Sequence, residues 1–437
     1  MYRWLVFTGL CLIGGFLGGC NGATRQPVLV PVSLGWANTS VNAVIFRTNS
    51  IVTHNKTQYV AFYDTQGFVT LGKREVGSLS WQLHKTQYQG NVRDAHNCIS
   101  IMVDGDGFLH MAWDHHNNSM RYSRSIAPGS LEMSSKMSMT GIKENHVTYP
   151  EFYRLVNGDL VFFYRDGTSG RGNLMMNYYD TQTQTWSIRQ DSFISGEDQR
   201  NAYWQACVDE AGTIHVSWVW RESGDVATNH DLCYAKSEDG GRTWLKSSGK
   251  PYSLPITAAN AEYAWKIPQR SELINQTSMC ADSQGRPYIA TYWRSQSSTV
   301  PQFRVVFFDG KTWQTQQVSQ RSIPFSLSGS GTKRIPISRP KIMADCTGNT
   351  DKAYLVFRDE ERDSRVSVAR CDDLSQGKWK IQDLTDFPVG QWEPSYDTEL
   401  WKSHKILNLF VQNVGQGDSE TLEVMTPQLI YILSWTP

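Results

Sequence analysis

Four of the ten histidines fall between His96 and His116. The segment reads Asp94-Ala95-His96-Asn97-Cys98, then Val103-Asp104-Gly105-Asp106-Gly107, His110, and Trp113-Asp114-His115-His116-Asn117. Imidazole titrates close to neutral pH, so such a cluster is suited to proton transfer. Further on, Tyr149 precedes an apolar run that ends near Arg165, and Arg200-Asn201-Ala202-Tyr203 precedes another that ends at Arg221. A guanidinium grips a carboxylate through two parallel hydrogen bonds and keeps its charge, and a phenol can relay a proton when cations lie beside it. Together these groups suit one reaction, the elimination of a 4-linked sugar from a uronic acid. The carboxylate must be neutralised, a base must take the C5 proton, and an acid must protonate the leaving oxygen. A glycosidase is expected to use two carboxylates instead, and no such pair stands at these positions.

The elements that position these residues follow from a repeat. A polar turn followed by a β-branched and aromatic run recurs around Val60, Met111, Val161, Val216, Ile289, Leu355 and Leu409. Four short strands with their turns need about 45 residues, so the spacing predicts an all-β, seven-bladed β-propeller. Continuous apolar runs match strands buried on both faces, and Pro27–Leu34 is placed to pair near Leu429–Trp435 and close the ring. Ser237-Glu238-Asp239-Gly240-Gly241-Arg242-Thr243-Trp244 fits the S-x-D-x-G-x-x-W hairpin, a structural turn with degenerate copies ending at Trp186, Trp313 and Trp379. In each blade the start of the inner strand and the end of the next lie at the same end. One mouth therefore collects His96, His116, Tyr149, Arg165, Tyr203 and Arg221 from adjacent blades. His110 belongs nearer the opposite end and reads as structural, because His215 recurs at the equivalent position.

Composition agrees. The chain has 437 residues, 40% hydrophobic and 12% aromatic, with 16 Trp, 19 Tyr and 34 Gly. Lys+Arg and Asp+Glu both total 42, which argues against a general nucleic-acid binder and leaves room for a locally basic groove. Residues 1–19 read as a lipoprotein signal peptide, with an apolar run from Leu5 to Leu17 followed by Gly18-Gly19-Cys20. Cys20 is the expected lipidation site, 20–26 the tether, and 27–437 the propeller domain. This predicts a protein held at the bacterial cell envelope by lipid alone, as a monomer. Of eight cysteines, Cys98, Cys207, Cys233, Cys280, Cys346 and Cys371 remain, too widely spaced for a compact disulfide framework.

The blocks Asp94-Ala95-His96-Asn97, Asp114-His115-His116, Tyr149-Pro150-Glu151, Phe163-Tyr164-Arg165-Asp166-Gly167, Trp218-Val219-Trp220-Arg221-Glu222 and Asn229-His230-Asp231-Leu232-Cys233-Tyr234 resemble the BNR-type propeller polysaccharide lyases. Within these the chain is most similar to the ulvan lyases, from about residue 40 to the C-terminus. The resemblance implies cleavage of an acidic sulfated polysaccharide between sulfated rhamnose and a uronic acid by β-elimination. It implies His96 and Tyr149 as the proton-transfer pair, in either order, and Arg165 as the carboxylate neutraliser. It implies His116 beside the carboxylate, and Tyr203, Arg221 and His115 along the substrate. Either of His115 and His116 could face inward, and the spacing from His96 favours His116. The resemblance also implies a structural zinc. His230 and Cys233 offer an imidazole and a thiolate three residues apart, Cys280 a third ligand, and His215 or Cys207 a fourth. Two other functions fit the same scaffold: a glycoside hydrolase, sialidase-like or specific for rhamnose–glucuronate linkages, and a non-catalytic glycan-binding lipoprotein.

Overall fold

The computed structural model describes residues 26–346 and 350–437. The expected signal peptide and lipidated Cys20 lie outside the described residues, as does all of the tether except Gln26. The architecture is all-β, and the one α-helix among the described residues is Thr398–His404.

Antiparallel meanders follow one another along the chain. Strands Ile51–His54, Thr57–Tyr63, Phe68–Glu75 and Gln82–Gln89 form the first sheet, and Ile99–Val103, Leu109–Trp113 and Tyr122–Arg124 the next. Val147–Arg154, Leu160–Thr168, Arg171–Asp180 and Thr185–Ile194 form a third meander. Asn201–Val208, Ile214–Arg221, Asn229–Ser237 and Glu262–Trp265 form a fourth, joined to the third by the parallel pairing of Gly172 with Asn201. Two four-stranded sheets follow, beginning at Ser278 and Lys341. The last sheet holds Leu407–Gln412 and Gln428–Trp435, with the N-terminal Val28–Gly35 on its outside. That last pairing, Val28 opposite Ser434 and Gly35 opposite Gln428, joins the chain ends as the sequence predicts.

Burial explains why these segments are strands. Ile99–Val103, Leu109–Trp113 and Ile214–Arg221 are buried along their whole length, whereas Gln82–Gln89 on an outer edge is mostly exposed and polar. The apolar clusters each span neighbouring sheets, and one joins Met343 and Val356 to Leu409 and Ile432 and onward to Ile51 and Phe62. The last sheet thus packs on the first.

The turns are set by short polar side chains. Asp64, Asp104, Asp209 and Asp282 each accept backbone N–H groups two and four residues on. In the Asp-box hairpin, Asp239 accepts from the N–H groups of Arg242 and Thr243, Gly240 and Gly241 take positive φ, and Trp244 stacks on Phe193 at 4.4 Å. His110 and His215 are structural counterparts. Each is buried between a turn aspartate (Asp104, Asp209) and a tyrosine (Tyr122, Tyr234).

Candidate active site

Strand register brings the chemistry together. Thr148 pairs with Arg165 on one side and with His116 on the other, so three adjacent strands present neighbouring positions at one sheet end. The register slips between Thr148 and Glu151, and within that bulge Tyr149 sits at φ 58°. Left-handed backbone is costly for a bulky residue and is kept where the surroundings enforce it. Here the distortion turns the phenol of Tyr149 towards its neighbours from other sheets.

A cleft of about 250 Å³ is lined by His96, His116, Tyr149, Arg165, Tyr203 and Arg221. All six residues that the repeat geometry sends to one mouth line this cavity. The His96 and His116 rings stack at 4.1 Å, His96 and Tyr149 lie 5.8 Å apart, and Tyr149 meets Tyr203 edge to face at 6.0 Å. Arg165 lies over the Tyr149 ring at 5.0 Å, and Arg221 over the Tyr203 ring at 5.4 Å. Ser169 and the Tyr203 hydroxyl are 3.1 Å apart.

The electrostatics are uneven. Arg339 also lines the cleft, but its charge is met by Glu393 through two bonds, from Nε at 2.7 Å and Nη2 at 2.6 Å. Arg165 donates to the Thr148 hydroxyl, and Arg221 to the carbonyls of Ser223 and Gly224. Among the described residues neither has a carboxylate partner. They leave an anion-seeking wall. Burial alone would raise the Tyr203 phenol, but the Arg221 and Arg165 guanidiniums outweigh it and bring it down to about 8. Burial drives Tyr149 well up instead, helped by Tyr203. Burial opposes charge on His96, yet the hydrogen bonds that it donates to Asp94 and Glu420 lift it to about 9. Asp94 is held far below the usual carboxylate range: burial works against this, and the two imidazoles prevail.

Two expectations need correction. His115 is not in the cleft. Successive side chains on extended backbone point to opposite sides, so with His116 in the cleft its neighbour is turned away. His115 is buried against Asn118 and the Arg121 backbone, and burial lowers it to about 4. It is a neutral packing residue. The zinc set is not assembled either. His230 spends its two ring nitrogens on Glu222 and Asp231. Cys233 lies on the third strand of its meander, covered by Tyr263. Cys280 lies on the first strand of the next sheet, beside a separate cavity that Cys207 also lines. Neither His215, bound to Asp209 and Tyr234, nor Cys207 brings these donors together, so the residues present do not fit a tetrahedral ion. The six cysteines are unbridged. The one metal-competent trio among the described residues is Asp94, His96 and His116, inside the cleft.

Sequence reasoning missed Phe46, Ser169, Asn275, Lys333, Arg339 and Glu420. Phe46 stacks on His96 at 4.9 Å, and Glu420 reaches His96 Nδ1 at 3.4 Å from a loop more than three hundred residues away. These come from segments between strands, where no repeat marks them.

Residues 57–321 match the model of the BNR repeat-containing family. The long isoform of ulvan lyase from Pseudoalteromonas sp. (strain PLSV) is 24% identical over 235 residues, covering 42% of this chain and 23% of that protein. The corresponding protein of Alteromonas sp. (strain LOR) is 23% identical over 235 residues, again 42% of this chain and 23% of the relative. The chain therefore matches less than a quarter of the length of these curated relatives. Among solved structures, polysaccharide lyase Uly1 superposes with a TM-score of 0.69 at 14% identity, covering 94% of this chain and 99% of that one. A PL25 ulvan lyase bound to -[GlcA(1-4)Rha3S]- gives 0.65 at 14% identity, over 92% and 98%. These likenesses establish a shared fold.

Proposed function

Because the chain belongs to the BNR repeat-containing family, we propose that it is a polysaccharide lyase, a seven-bladed propeller that cleaves ulvan-type polymers of sulfated rhamnose and uronic acid by β-elimination. The successive meanders, each packed on the next, support the blade count. The observation that carries the chemistry is the pair of guanidiniums, Arg165 and Arg221, which flank Tyr203 without a carboxylate partner among the described residues. An acid sugar's carboxylate supplies the missing charge.

In this reading Arg165 takes the C6 carboxylate and makes the C5 proton removable. Tyr203, whose phenol is brought nearest to neutrality, takes that proton. Tyr149, kept protonated, donates to the leaving oxygen. His96 is held as a cation, so it serves as donor and charge stabiliser rather than as base, with His116 beside it. The groove has no need of two catalytic carboxylates, which separates it from a glycosidase. A lipid at Cys20 would hold this monomer on the bacterial envelope.

The test is digestion of ulvan and of unsulfated uronate polymers, followed by the ultraviolet absorbance of an unsaturated uronate. Appearance of the chromophore with new reducing ends supports elimination. Reducing ends without it mean hydrolysis, and binding without either means a glycan receptor.

A further inference from the structure

The carboxylate that holds both histidines has no part in the scheme above. Asp94 Oδ1 lies 2.7 Å from His96 Nδ1, and Oδ2 lies 2.5 Å from His116 Nδ1. The Asp94 side chain also accepts the His96 backbone N–H at 2.9 Å, which fixes the carboxylate to the turn that bears His96. Neither Nε2 has a hydrogen-bond partner among the described residues, while both rings line the cleft. We propose that Asp94 is a positioning residue, which by accepting both Nδ1–H groups locks His96 and His116 into one stacked unit with both Nε2 atoms free for the substrate. This rests on the lyase reading for its consequence in catalysis, not for the interaction itself.

The geometry favours a proton hub over a metal site, although the same three residues could supply ligands. The two rings are nearly parallel, at 17°, so their Nδ1 atoms point side by side towards separate oxygens. A tetrahedral ion would need them to converge on a point about 2 Å from each. One carboxylate instead takes both rings at the distances of charge-assisted hydrogen bonds. Glu420 adds a second anion at His96, and its other contacts fix it in turn: Thr332 donates to it through both N–H and hydroxyl. The remaining groups facing His96 are Tyr149, the stacked Phe46, and the cleft cations Arg165 and Arg339.

The experiment is histidine side-chain NMR titration of the wild-type protein and of Asp94→Asn, with lyase kinetics alongside. Wild type should show Nδ1-protonated rings at both positions at neutral pH. Asp94→Asn should move the His96 midpoint from near 9 towards 6.5. It should also raise KM for the acidic polymer about tenfold with a smaller change in kcat, the loss of a charge-assisted contact. Asp94→Glu should recover part of both. Unprotonated Nδ1 in wild type, or a His96 titration unchanged in Asp94→Asn, overturns the proposal, and the wild-type spectrum decides even if the variant fails to fold. A chelator that alters the wild-type histidine signals as the substitution does would make this a metal site and overturn it equally. If no uronate polymer is cleaved, the lyase reading fails while the titration still decides the role of Asp94.

Discussion

His96 and His116 stack face to face at 4.1 Å, twenty residues apart in sequence and bound to the two oxygens of Asp94. One imidazole comes from the turn before an inner strand and the other from the short strand His116–Asn118 that follows the next. The fold therefore spends a single hairpin, Ile99–Trp113, to bring both to one sheet end. The pair faces Tyr149 and, beyond it, the Arg165–Tyr203–Arg221 wall, so the cleft runs between imidazoles and guanidiniums.

Arg165→Ala and His96→Ala should each reduce turnover on the order of a hundredfold or more, the usual effect of removing a contact made in the transition state. Circular dichroism should stay native. Rates come from the unsaturated-uronate absorbance, and two variants with near wild-type turnover would show that these residues do not act on the substrate.

Tyr203→Phe removes the phenol that the arginines bring down to about 8. Wild-type kcat should climb with pH through that value as the phenolate forms. The variant should lose most activity and also the climb. A Tyr203→Phe profile parallel to wild type would assign the base elsewhere.

Stability should also report the histidine hub. The folded value of His96 is raised from 6.5 to about 9. Its contribution is thus complete below pH 6.5 and is lost as pH rises through 9. Melting temperature should fall across that window in wild type, and the fall should shrink in His96→Ala. Scanning calorimetry at matched ionic strength measures it, and parallel curves would mean that the ion pair adds nothing.

Trp244→Ala tests the hairpin turn apart from the chemistry. Trp244 is buried and stacks on Phe193. Its removal should cost about 3–5 kcal/mol of stability, read by chemical denaturation, while KM at low temperature stays as in wild type. A loss below 1 kcal/mol would show that the ring is not a packing anchor.

The strands and the convergence of His96, Tyr149, Arg165 and Tyr203 were legible because a repeat carries its own geometry. Once Arg165 and Arg221 end second strands, they must share an end of the molecule. Where the repeat stops, so does legibility. Glu420 enters from an irregular loop, and Arg339 lies in the segment before Lys341, where it meets Glu393 in a contact between distant segments. The spacing from His96 favoured His116 over His115, and the structure agrees: His116 lines the cleft while His115 packs against Asn118. The zinc expectation failed for a related reason. Cys233 and Cys280 sit on a third and a first strand of different sheets, and sequence distance does not reveal that depth.

The pairing of Val28–Gly35 with Gln428–Trp435 has a directional consequence. Gly35 meets Gln428 near Gln412, on the side where the chain runs on to Glu420 and the cleft, whereas Val28 meets Ser434 towards Leu407 and the far end. The first described residues, Gln26 and Pro27, therefore enter on the face opposite the reactive mouth, and the closing strand runs from that face towards the cleft.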